Sequence, residues 1–171
     1  MELTVAVAIM ATVFAAIMPL FAGIRNSAAA RWAGLEMVQN ARVLNEHLHR
    51  HLAQARRIVA VSAGTDPNGY IEFESDDGAV YRCGIGTWGY VEFGPVGQMH
   101  PLAGPVEALR FTCYDAVDLS RPTPAPSAIR LVTWEVRFQS PEALVPGRQV
   151  TGACCLRLEP TDNRGASIDS H

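Results

Sequence analysis

Between Glu2 and Arg25 the chain carries no formal charge. A helix covering one side of a soluble core shows a polar face, and this stretch offers none. No P-loop and no dinucleotide-type glycine pattern occur anywhere, so the usual phosphate and nucleotide cradles are missing. No internal repeat is evident. A basic excess is also missing: 171 residues carry a net charge of −3, which speaks against nucleic acid as a partner. The four cysteines include no Cys-x-x-Cys pair, and the five histidines form no His-Glu-x-x-His pattern. Zinc-ribbon, thioredoxin-type and zinc-protease chemistry lose their signatures accordingly, and no cofactor or metal is expected.

What the uncharged stretch does contain is apolar throughout. Val5, Val7, Ile9, Met10, Val13, Phe14, Ile17, Met18, Leu20 and Phe21 stand among alanines. About 22 helical residues span roughly 33 Å, enough for the hydrocarbon core of a bilayer. Glu2, at its head, has no partner within the helix; the helix N-terminus and the membrane surface both favour a carboxylate there. Pro19 removes one backbone donor and predicts a local kink.

The segments Glu2-Leu3-Thr4-Val5-Ala6-Val7-Ala8-Ile9-Met10 and Ala15-Ala16-Ile17-Met18-Pro19-Leu20-Phe21 resemble the N-terminal helix of type IV pilins and of the pseudopilins of type II secretion. The resemblance implies that Glu2 neutralises the amino-terminal charge of a neighbouring subunit during assembly. It implies that Pro19 loosens the helix as subunits pack, and that partners are other pilin or pseudopilin subunits and the inner membrane. Precursors of that family carry a basic leader ending in glycine, whereas Met1 stands directly before Glu2. The expectation is a start further upstream, with a leader for a prepilin peptidase. Arg25 and Arg31, taken literally, would hold the C-terminal domain in the cytoplasm. A basic leader reverses this, so the expected location is a single-pass inner-membrane protein with a periplasmic domain, or an extracellular filament.

Beyond Arg25 the period is helical: Leu35, Val38, Ala41, Leu44, Leu48, Leu52, Ala55 and Val59 recur three or four residues apart. One helix of about 58 residues, some 87 Å long, is predicted, ending before the Gly64–Gly69 turn. His47 and His51 share a face while His49 points away, a solvated polar patch with too few ligands for zinc.

From Tyr70 the period becomes two, through Ile71/Phe73, Tyr81/Cys83/Ile85, Val91/Phe93, Leu109/Phe111/Cys113, Val132/Trp134/Val136/Phe138 and Cys154/Leu156/Leu158. Asp76-Asp77-Gly78 reads as a hairpin turn, Met99–Pro105 as a loop, and the proline-rich stretch Asp118–Ser127 as an exposed linker. This strand and turn order also looks like the globular part of minor pilins. Cys83, Cys113 and Cys154 are in phase to face the core and Cys155 to face outward. In an exported domain, at least one disulfide between two of the inward three is expected, as an alternative to buried free thiols.

The expected architecture is α+β: an apolar helix over 1–24, its amphipathic continuation over 25–60, an antiparallel sheet over 61–160 packed on that helix, and a tail over 161–171. The expected function is a structural, non-enzymatic subunit assembling through its N-terminal helix. Two rivals remain: a membrane-tethered binding module that never polymerises, and an anchored enzyme using His47, His49 and His51.

Overall fold

The architecture is α+β, a single long helix laid along two antiparallel sheets. It was obtained as a computed structural model that describes residues 2–140 and 147–157, with the backbone alone at 2–4 and 8. The expected tail over 161–171, and Leu158 of the last strand pattern, lie outside the described residues.

Helix α1 runs from Glu2 to Ala53 with Pro19 inside it. It stops short of the predicted end near Ala60. Gln54 and Ala55 donate to His51 and Leu52 in tight i→i−3 bonds, and Arg56 N–H then reaches across to Glu74 C=O at 2.8 Å. The following Ile58-Val59-Ala60-Val61 is rich in β-branched residues, which suit a pleated surface better than a helix. It forms β1 (Arg57–Val61), so the sheet domain starts at Arg57. Val59, assigned above to the helical stripe, points to solvent from that strand.

Strands β2 (Tyr70–Glu74), β3 (Val80–Ile85), β4 (Val91–Pro95) and β5 (His100–Ala103) follow β1 in sequential order as a five-stranded meander. The Asp76-Asp77-Gly78 turn joins β2 to β3 as expected: Gly78 has φ +80°, and Asp77 Oδ1 accepts from Ala79 N–H at 3.0 Å. β5 corrects the loop expected over 99–105. Its Pro101 sits on the sheet's edge, where a missing donor is tolerated.

The second sheet is three-stranded, in the order β6 (Val106–Asp115), β7 (Ile129–Phe138), β8 (Gln149–Cys155). The two sheets meet where Leu109 N–H donates to Pro67 C=O and Gly69 N–H to Leu109 C=O, both at 2.8 Å. A Cβ at Gly69 would sit 2.6 Å from that Leu109 oxygen, so the junction requires glycine.

Inward residues of both sheets share one core with the helix: Phe73, Phe111, Trp134, Val136 and Phe138 surround Leu44, Leu48 and Leu52. Burying each leucine contributes about 1.5–3 kcal/mol. On the outer faces, cross-strand pairs bring Arg82 to Glu72 at 3.2 Å and Arg110 to Glu135 at 3.3 Å.

The covered face of α1 keeps Ala41, Leu44, Leu48 and Leu52 of the predicted stripe, and differs from it only toward the N-terminal end. Ala33, Met37, Leu44, Leu48 and Leu52 are buried, while Leu35 (55% exposed) and Val38 lie off that face. Counting back from Leu48 by 100° per residue, Leu35 falls on the opposite side of the helix.

Candidate functional site

The same helix continues, uncovered, toward its N-terminus. From Val5 to Ile24 its large side chains stand exposed, and over this part it is long and apolar enough to cross a membrane. The residues are not uniform around the axis. At 100° per residue, Val7, Met10, Phe14, Ile17 and Phe21 fall on one broad side, and Ala11, Ala15, Pro19 and Ala22 fall on a separate strip centred about 120° away. Thr12 lies on that strip too, and its hydroxyl donates to Ile9 C=O at 2.8 Å, within its own helix. Small residues along one face allow a second helix backbone to approach closely in lipid. Glu2 is the first described residue of the helix, and Pro19 follows about 26 Å further along. Arg25, Arg31 and the 72%-exposed Trp32 then mark the passage from the apolar part to the covered part.

The histidines divide differently from the solvated patch expected. His49 is exposed, but His47 and His51 are half-buried against the five-stranded sheet. Their ring centroids are 4.4 Å apart, and each lies on Phe93, at 4.3 and 4.7 Å. Phe73 and Tyr81 extend the cluster. His47 Nε2 is buried with no hydrogen-bond partner. Burial, then the nearby charges of His51 and Arg50, hold the His47 pKa below the ordinary value; burial and Arg50 do the same for His51. Among the described residues, no three His, Cys, Asp or Glu side chains converge to hold a metal ion.

The cysteine phases are as read from the strand alternation: Cys83, Cys113 and Cys154 are buried and Cys155 is exposed. All four are free thiols in the structure. Cys113 on β6 and Cys154 on β8 flank the same residue, Val132 on β7. Two strand spacings separate them, about 9.5 Å, beyond the roughly 7 Å that a disulfide can bridge between Cα atoms. Burial pushes the Cys83 and Cys113 thiols up to about 12 and raises that of Cys154, so these three behave as small apolar groups rather than nucleophiles.

Two features of the helix–sheet contact escape sequence reading. Gly152 on β8 faces Asn45 and Trp134 so closely that a Cβ would collide with both. A lone glycine inside a strand pattern is the signal that marks such an approach. Asn40 Nδ2 donates to Gly104 C=O at 2.9 Å, a contact between positions 64 apart that no local pattern announces. No protein-family model matches the chain, and neither a curated protein nor a solved structure matches it.

Proposed function

We propose that the chain is a pilin-like structural subunit, a minor pilin or pseudopilin, that crosses the inner membrane once and assembles with like subunits through the N-terminal half of α1. The observation that carries this reading is one helix, unbroken from Glu2 to Ala53, whose first half is apolar and uncovered while its second half bears the folded domain. A tether needs only an apolar span. The strip of small residues through Ala11, Ala15 and Ala22 adds a surface suited to another helix. In this reading Glu2 meets the amino terminus of a neighbour, Pro19 relaxes the helix on packing, and the domain lies outside the cytoplasm.

A photo-cross-linking residue placed at Ala15 in the full chain, expressed in membranes, tests this. Irradiation is expected to give a ladder of products containing two or more pilin-like chains, weakened by Glu2→Ala without loss from the membrane fraction. Products of monomer mass alone would overturn assembly and leave the tethered, non-polymerising module.

A further inference from the structure

We propose that the β3–β4 hairpin, tipped by Trp88, docks into the headgroup region of the bilayer that α1 crosses, giving the domain a second membrane contact. This rests on the membrane-span reading above and adds to it a surface outside the helix.

Trp88 is 82% exposed, and Tyr90 beside it 40%. The tip is a built turn rather than a trailing loop. Gly86 N–H donates to Tyr90 C=O at 2.8 Å, Gly89 N–H to Gly86 C=O at 3.2 Å, and Gly89 takes φ +70°. Gly86, Thr87, Trp88, Gly89 and Tyr90 carry no charge.

Several contacts fix which end of the domain this tip occupies. Phe93 on β4 lies against His47 and His51, and Cys154 Sγ lies 3.8 Å from His49 C=O. Moving back along β4, Tyr90 packs on Gly104, whose carbonyl takes the Asn40 amide. Gly89 C=O accepts from Val106 N–H at 2.7 Å at the same level. β4 therefore descends toward the N-terminus of α1 as its residue numbers fall, and Trp88 projects beyond that level. The opposite end carries exposed Asp76, Asp77 and Asp118. Among the described residues the tip's end, close to neutral, sets Arg31 and Arg148 against Glu36, Glu107 and Glu92, whose carboxylate lies against Gly86.

The lengths are compatible. Asn40, at the helix level of Tyr90, lies about 24 Å beyond Ile24, where the uncharged run stops, and the step from Tyr90 to Trp88 recovers up to about 7 Å of it. The headgroup layer occupies about 5–8 Å of that distance. An extended indole and an average helix tilt of about 20° close the remainder. Tryptophan and tyrosine favour this zone because an apolar ring and a polar N–H or O–H are both satisfied there. With near-neutral charge at that end, zwitterionic lipid suffices.

The test uses the full chain, labelled with 5-fluorotryptophan, in phosphatidylcholine nanodiscs doped with a lipid spin-labelled at its headgroup. Trp32→Phe and Trp88→Phe assign the three fluorine resonances without touching the buried Trp134. Broadening of Trp32 and Trp88, with Trp134 sharp, is the expected result. Trp32 broadened and Trp88 sharp overturns the second contact and leaves the span standing. Neither broadened, with the protein outside the discs, removes the span itself and the inference with it.

Discussion

Phe14 and Leu48 sit on one continuous helix, yet they face different solvents. Leu48 is fully buried beneath both sheets, whereas Phe14 is exposed, with neither sheet against it. Local helix propensity does not distinguish them. The difference lies in the residues around them. Near Leu48, polar neighbours such as Asn45, Glu46 and Arg50 leave one apolar face, and the sheets cover it. Near Phe14 no charged neighbour defines a face, and the Thr12 hydroxyl bonds within its own helix, so no single surface of a soluble domain can satisfy the helix. The fold is therefore held by the second half of α1, and the first half is free to serve lipid or other helices.

The largest effect that would break this comparison comes from deleting residues 1–24. The truncated chain is expected to leave the membrane fraction entirely and to keep its sheets, because the covered face begins at Ala33, beyond the cut. Circular dichroism and sedimentation check it. An aggregated or unfolded product would place the apolar run in the domain's core, and the pilin-like reading would fall with it.

A smaller effect sharpens the contrast within the full chain. Leu48→Ala should destabilise the domain by about 2–5 kcal/mol, the usual cost of emptying a core position. Phe14→Ala should shift the domain's unfolding by no more than about 0.5 kcal/mol, as for an exposed site. Urea unfolding in detergent, followed by Trp134 fluorescence, compares the two. Equal losses would mean that the uncovered half supports the domain.

Five of the eight described strands were legible as period-two patterns because each has one face on the core and one in water; of β8 only Cys154 and Cys155 were read, at the end of a strand that runs Gln149–Cys155. β1 and β5 were not legible. In β1, Ile58 and Val59 continue the three-to-four spacing set by Leu52 and Ala55, so a helical reading extends across a chain that has already turned. In β5, the prolines at 101 and 105 read as loop, although an edge strand accepts Pro101. The apolar span was legible from a lack of charge alone. The covered face was legible from Ala41 to Leu52, but its N-terminal end was not, because Leu35 and Val38 are the larger apolar residues there and the face instead runs through Ala33 and Met37. The histidine cluster was hidden for a related reason: Phe93 is far from His47 in sequence, and spacing along the helix says nothing of what faces it.

That cluster gives the smallest and most selective effect. Tyr81 from β3 and Phe93 from β4 face the two rings, and His100 on β5 stands in register with Phe93. Arg50 is the cation on the helix itself, paired with Glu46 at 3.2 Å. None of these supplies a carboxylate to a protonated imidazole at His47 or His51. Both pKa values are depressed from 6.5 in the folded state, so the unfolded chain takes up protons first. The contribution to stability is present above the ordinary histidine pKa. It is lost as pH falls from there through the depressed folded values. Thermal unfolding between pH 7.5 and 5 should show a falling midpoint over this window, above the range where most carboxylates titrate. His47→Phe with His51→Phe should flatten that slope, and His49→Ala, at an exposed position, should leave it in place. A wild-type midpoint unchanged from pH 7.5 to 5 would mean that the two imidazoles accept protons without leaving the sheet, and that the burial of His47 Nε2 carries no cost that pH can reveal.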